Sequence, residues 1–207
     1  MQIVDLLNIK LENEWVKLEP LQVSDVDELW EISQDKDLSQ FGHKDLGDYP
    51  TLKAYIESAI RNRKEGSCAV WKVVDKRTGK TAGSTRIAEI SEHDERGQIG
   101  WTWIGKEFQG SGLNKAMKFE VLKYAFEALK LNRVEFKADE RNLQSRKAML
   151  KIGATEEGTL RQHLKLHNGF IRNSVYYSIL KAEWPAMKER IFADFLVNKT
   201  IAQECAK

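Results

Sequence analysis

Proline and cysteine are scarce in this 207-residue chain, with three of the first and two of the second. Pro20, Pro50 and Pro185 are isolated, so no proline-rich linker divides the chain and collagen-like or low-complexity architectures are excluded. Cys68 and Cys205 lie far apart, form no CxxC pair and have no histidine cluster beside them, which argues against a disulfide framework and a metal site. Both read as reduced thiols of a cytoplasmic protein. Long apolar runs are missing as well: no stretch approaches the roughly 18–20 apolar residues of a membrane helix. Asp5, Lys10, Glu12 and Glu14 interrupt the first fourteen residues, which therefore lack a signal peptide's apolar region. Charge of one sign is also lacking. With 33 Lys+Arg against 31 Asp+Glu the net charge is +2, too little to draw nucleic acid or a membrane through the bulk field.

What remains is 42% hydrophobic and 31% charged residues with 13 glycines and no internal repeat, the makeup of one soluble domain over residues 1–207. A domain of this size buries about two-thirds or more of its unfolded surface, so a single sizeable core is expected. Trp15 to Leu18 alternates as a strand, and Ser24 and Asp27 introduce a helix carrying Val26, Leu29, Trp30 and Ile32. A second helix follows Pro50 and ends at the basic run Arg61 to Lys64. Cys68–Val74 and Thr81–Ile90 read as a hairpin, and Gln98–Ile104 as a third antiparallel strand. A glycine turn leads to a long amphipathic helix from Leu113 to Leu129, then a strand at Val134–Ala138. A short helix at Asn142–Lys151 closes on Gly153. Strands at Gly158–Leu166 and Ser174–Leu180 join around His167-Asn168-Gly169, and a closing helix spans about 183–198. The sum is an α+β fold with a mixed sheet.

The sharpest local feature is Gln109-Gly110-Ser111-Gly112-Leu113-Asn114, set between a strand and a helix. Glycines let the main chain approach an anion closely, and the amides at a helix start supply donors, so a pyrophosphate suits this turn. A plain structural turn is the alternative. The segment is no Walker loop, because Gly-Lys-Ser/Thr is absent, and no dinucleotide fingerprint, because Lys115 stands at the third glycine position.

Ile99 to Lys115 resembles the acyl-coenzyme A motif of the GNAT acetyltransferases, Gln/Arg-x-x-Gly-x-Gly/Ala after a strand. Asp139 to Ala154 resembles the following Asn-x-x-Ser helix and its Lys-x-Gly ending. The branch containing the ribosomal-protein alanine N-acetyltransferases is the best match, through Gly158-Thr159-Leu160-Arg161 and Asn168-Gly169. The resemblance implies a mostly antiparallel central sheet flanked by helices, acetyl-CoA as cosubstrate and no metal. It implies that the backbone of Trp103 and Ile104 holds the pantetheine arm, Gln109 through Asn114 the pyrophosphate, and Asn142 and Ser145 the sulfur end. A backbone amide near Ile104 would stabilise the oxyanion. The acceptor it implies is a primary amine, a protein N-terminus or a small amine.

Direct acyl transfer also needs a group to take the amine proton and one to protonate the departing thiolate. Ser145 is assigned the second task, with an ordinary helix-start serine as the alternative. Gln98 stands where many members of the family carry a glutamate base, and Met149 where others carry a tyrosine acid. An amide takes no proton at neutral pH. His163 is the remaining titratable candidate, against a structural histidine; Tyr176, Tyr177, Glu140 or a water relay are substitutes. Arg86 and Arg161 are candidates for an acidic or carbonyl group of the acceptor, against solvated salt bridges. Trp101, Trp103 and Phe119 read as core and Phe108 as near the cosubstrate. Gly83 lies outside both motifs and reads as a neutral control position. A coenzyme A-binding sensor without turnover and a small-molecule acetyltransferase are the competing functions, and the closing hairpin and helix are the surface a homodimer would use.

Overall fold

The computed structural model describes residues 6–196. The elements are β1 (Leu11–Glu12), β2 (Val16–Pro20), α1 (Val26–Ser33), α2 (Lys36–Ser39), α3 (Tyr49–Lys64), β3 (Cys68–Asp75), β4 (Lys80–Ser91) and β5 (Arg96–Ile104). There follow α4 (Leu113–Lys123), β6 (Arg133–Asp139), α5 (Leu143–Lys151), β7 (Thr155–Lys165), β8 (Ile171–Leu180) and α6 (Trp184–Ile191). The strands form one sheet in the order β1-β2-β3-β4-β5-β6-β8-β7. Every neighbouring pair is antiparallel except β5 and β6, which are parallel because the α4 crossover joins them. The expected mixed, mostly antiparallel sheet flanked by helices is therefore present.

Two cores cover its two faces. On one, α4 and α6 bury Leu113, Met117, Val121, Trp184 and Met187 against Ile87, Ile99, Val134, Phe136 and Ile179. On the other, Leu29 of α1 and Leu52, Ile56 and Ala59 of α3 close on Val70 and Trp103. Asp48 caps α3, its carboxylate accepting from the Thr51 amide at 3.0 Å, and Pro50 sits in the first turn where no N–H is needed.

Three expectations change. The helix expected to run from Leu113 to Leu129 is α-helical only to Lys123 and then widens into a π-turn at Tyr124–Ala128. Tyr124, Ala125 and Phe126 in this wider turn are all buried, as are residues 116–122 of α4 before it. The closing helix stops at Ile191 instead of reaching 197 or 198, and a single 3-10 turn follows at Ala193–Phe195. This break lets Phe192 and Phe195 both pack on Phe119, at ring separations of 5.4 and 5.5 Å. Residues 197 and 198, like Cys205, lie outside the described residues. Gly83 is not a neutral position: a Cβ there would stand 2.0 Å from the Trp103 carbonyl oxygen, and its φ of +148° is one that side chains rarely adopt.

Candidate active site

Strands β5 and β6 make a fork. They pair only at Arg96–Arg133, Gly97–Val134 and Gln98–Glu135, after which β6 continues along β8 and β5 along β4. The β6-facing edge of β5 from Ile99 to Ile104 is thus left outside the ladder, a row of backbone donors and acceptors for something other than a strand. Within that row Arg86 pairs with Gly100 and Ser84 with Trp103, so Trp101 and Thr102 together oppose Thr85. Trp101 takes a φ of +50°, a β-bulge that re-aims the backbone beside the fork. Trp101 is accordingly not a core residue, while Trp103 is buried in the α1–α3 core and Phe108 in the main core instead of at the fork.

Beyond β5 the chain turns through Gly110 and Gly112, at φ +72° and +88°, into α4. Gly112 also packs on Trp15, whose ring an added Cβ would meet at 3.2 Å. The first turn of α4 holds no acidic residue, and its opening amides are the unsatisfied donors that every helix start presents. The Ser111 hydroxyl donates to the Phe108 carbonyl at 2.6 Å, and Arg77 donates to the Ser111 carbonyl at 3.2 Å while bound to Asp75. Arg77 thus braces the turn from the β3–β4 hairpin, a contact invisible in sequence because 34 residues separate the partners. Asn114 points its Oδ1 into the interior with no hydrogen-bond partner. Gln109 donates to the Ile104 carbonyl at 3.0 Å and accepts from Gln144 of α5 at 2.9 Å, linking the two sides of the opening.

On the far side of the fork Asn142 caps α5, its Oδ1 accepting from the Ser145 amide at 3.0 Å. Ser145 is therefore brought to the first turn of α5 beyond β6. Met149 is buried in the main core.

The α1–α3 face of the same strands carries a second group of residues. Arg86 is buried, its guanidinium between the rings of Tyr55 and Trp101 at 5.2 and 5.1 Å, with Nε and Nη2 unpartnered. Burial raises the Tyr55 hydroxyl's pKa, opposed by Arg86 and Trp103 beside it. Gln98 is buried with its Oε1 unpartnered. Lys137 lies 5.9 Å from the Trp101 ring and pairs with Glu89. His163 is half-buried, 5.7 Å from the Tyr176 ring, with Nδ1 unpartnered. Desolvation, then the charges of Lys137 and Arg172, holds its pKa below the ordinary value, so the ring is neutral at pH 7. Tyr177, on the opposite side, is tied to Arg146 and Glu156. Arg161 is exposed on the edge strand β7. The segment between α2 and α3 is stitched to the β7–β8 hairpin: Arg172 donates to the Phe41 carbonyl at 3.0 Å, and His167 Nε2 stands 3.1 Å from the Ser39 carbonyl. A surface groove lined by Glu28, Glu31, Asp35, Lys80 and Lys106 among others takes no residue from α4, β6 or α5 and is not the fork.

The strand pair forks after three residues, with a glycine turn and helix start at its open end, and residues 16–155 match the acetyltransferase (GNAT) domain family. The chain belongs to that family and is an N-acetyltransferase; the family's acyl donor is acetyl-CoA. Over 110 residues, 53% of this chain and 59% of the relative, it is 39% identical to a Bacillus subtilis (strain 168) protein named "Putative ribosomal N-acetyltransferase YdaF". A GCN5-related N-acetyltransferase from Brucella melitensis shares the fold with a TM-score of 0.81 at 27% identity, over 90% of this chain and 85% of that one. Mycobacterium smegmatis RimJ, solved in complex with CoA-disulfide, is alike in fold with a TM-score of 0.77 at 19% identity, over 91% of this chain and 94% of that one. Among the described residues no helix is long and apolar enough to cross a membrane, and no cluster of three or more His, Cys, Asp or Glu is placed to hold a metal ion.

Proposed function

We propose that the chain is one cytoplasmic N-acetyltransferase domain that moves the acetyl group of acetyl-CoA to the N-terminal amine of a protein, of the ribosomal-protein type. The observation that carries the reading is the unpaired edge of β5, Ile99 to Ile104, running out to the Gly110–Gly112 turn at the start of α4. That edge offers the pantetheine amides a ladder partner through the backbone of Trp103 and Ile104. Gln109, Gly110, Ser111, Gly112, Leu113 and Asn114 enclose the pyrophosphate, with the opening amides of α4 as its donors. Asn142 and Ser145 flank the sulfur end. A backbone amide of β5 near Ile104, beyond the Trp101 bulge, is the oxyanion donor. The acceptor enters from the α1–α3 face, where Arg86 meets an acidic or carbonyl group and Arg161 lies at the rim. His163, neutral with a free Nδ1, takes the amine proton directly or through water.

Two measurements test this. Calorimetric titration should give saturable binding of acetyl-CoA and none of ATP or NAD. Peptides beginning with Ala or Ser should then be acetylated while polyamines and amino sugars are not; the reverse pattern moves the acceptor to small amines. Gln98 and the buried Met149 supply neither a base nor an acid at their positions, which favours a sensor as the second reading. Saturable binding without transfer to any amine would establish it.

A further inference from the structure

Lys118 lies on the α4 face of the fork, where no function has yet been given to it. Its side chain is 7% exposed. Its Nζ donates to the Thr102 hydroxyl of β5 at 2.8 Å and stands 5.9 Å from the Phe136 ring of β6, so the amine occupies the gap between the two diverging strands. Thr102 in turn shares a 2.8 Å hydrogen bond with Thr85 of β4. The groups against Lys118 are the Thr102 hydroxyl of β5, itself bonded to Thr85 of β4, and the Phe136 ring of β6; none of them titrates near neutrality. Among the described residues Lys118 makes no ion pair, and burial alone pulls its pKa down to about 7. A buried ammonium with one neutral acceptor is costly, and a helix needing only packing there would carry an apolar side chain.

We propose that Lys118 is the proton donor to the sulfur of coenzyme A in the acyl-transfer step. This rests on the acetyltransferase reading above. The nitrogen of the neutral acceptor amine forms a bond to the acetyl carbon, and the carbon–sulfur bond breaks with its electron pair on sulfur. Lys118 gives that sulfur a proton, leaving a thiol; His163 takes the proton lost by the new amide, directly or through water, and releases it to solvent, while Lys118 regains a proton from water by way of the Thr102 and Thr85 hydroxyls. Sums balance: thioester plus amine yield amide plus thiol. The two faces of the sheet keep the partners apart, with Arg86 and Gln98 on the acceptor side and Lys118 on the other. Ser145 retains a hydrogen bond to the sulfur, but a hydroxyl has no proton to give up at neutral pH, whereas an ammonium that titrates near neutrality does.

The test uses the full chain with free coenzyme A and follows the ultraviolet absorbance of the bound thiolate against pH, with no acceptor and no turnover. A cation at the sulfur should make the bound thiol titrate about one pH unit or more lower in the wild type than in Lys118→Met. Single-turnover transfer should fall about 100-fold in the variant, with the acetyl-CoA Kd held within about threefold. Equal thiol titration in two proteins that both bind coenzyme A overturns the proposal and leaves the acetyltransferase reading standing. Failure of the wild type to bind coenzyme A overturns both. If Lys118→Met does not fold, Lys118→Gln, which keeps a donor for Thr102, carries the same comparison.

Discussion

Lys118 and Arg86 are cations buried on opposite faces of the same strands, and they meet the cost of burial in different ways. Neither enters an ion pair among the described residues. Lys118 has a hydroxyl and the Phe136 ring, and burial lowers its pKa to about 7, so it meets the cost by shedding a proton. Arg86 cannot shed one. It is held instead between the faces of Tyr55 and Trp101, contacts worth roughly 0.5–2 kcal/mol each, with two nitrogens left free for a ligand. The α4 face thus carries a charge that can change during a reaction, and the α3 face a charge that is permanent and suited to recognition.

Gly83 is shared by both faces, because β4 carries Thr85 and Arg86 side by side. Gly83→Ala should therefore have the largest effect, destabilising the protein by about 3 kcal/mol or more as the new Cβ drives Trp103 away, and a melting temperature equal to that of the wild type would break the account. Lys118→Met should change the pH dependence of stability. The folded-state pKa is about 7 against an ordinary 10.5, so between these values the unfolded chain binds the additional proton. This group's contribution to stability accordingly rises with pH across that window. Thermal unfolding of the two proteins from pH 7 to pH 10 should show the wild type gaining on the variant; parallel curves would remove the contrast between the faces.

Smaller effects separate the two halves of the site. Gly110 and Gly112 share a left-handed backbone that costs other residues about 1–2 kcal/mol, but only at Gly112 does the side chain also meet Trp15. Gly112→Ala should weaken acetyl-CoA binding about tenfold or more and Gly110→Ala less, with the acceptor KM unchanged in both. Arg86→Met should do the opposite, raising the acceptor KM about tenfold with the acetyl-CoA Kd unaltered. Arg161→Ala, at an exposed position, should move the acceptor KM by no more than about twofold. Steady-state kinetics and calorimetry distinguish these patterns, and a Gly112 variant that changed the acceptor KM alone would exchange the two halves.

The turn from Gln109 to Asn114 is legible in the sequence because it is contiguous, and glycine at a strand-to-helix junction has a local physical reason. The sheet order follows from alternation in the strands and from the α4 crossover. The Trp101 bulge is only partly legible: Gly100 stands immediately before it, but its cause is a register difference with Thr85 on another strand. The acceptor face is built from Tyr55, Arg86, Gln98, Trp101 and His163, drawn from three separate strands and a helix, so no sequence window contains it. Lys118 could have been found. It stands four residues after Asn114 and three before Val121, inside the apolar stripe of α4, and a lone charge in that stripe is the mark of a buried group. The junction of the Phe41 segment with Arg172, 131 residues away, had no local signal.

The edge strand β7 has a further consequence for how copies of this chain meet. Near its middle Gln162 adopts a φ of +50°, its amide is taken by the Asn173 side chain at 2.8 Å, and the register with β8 slips between Leu160 and Leu164. A second molecule approaching that rim finds a kinked, partly satisfied backbone where an extendable template would be. Runaway stacking of sheets is thereby discouraged at the end of the molecule most open to it, even when many copies are crowded together.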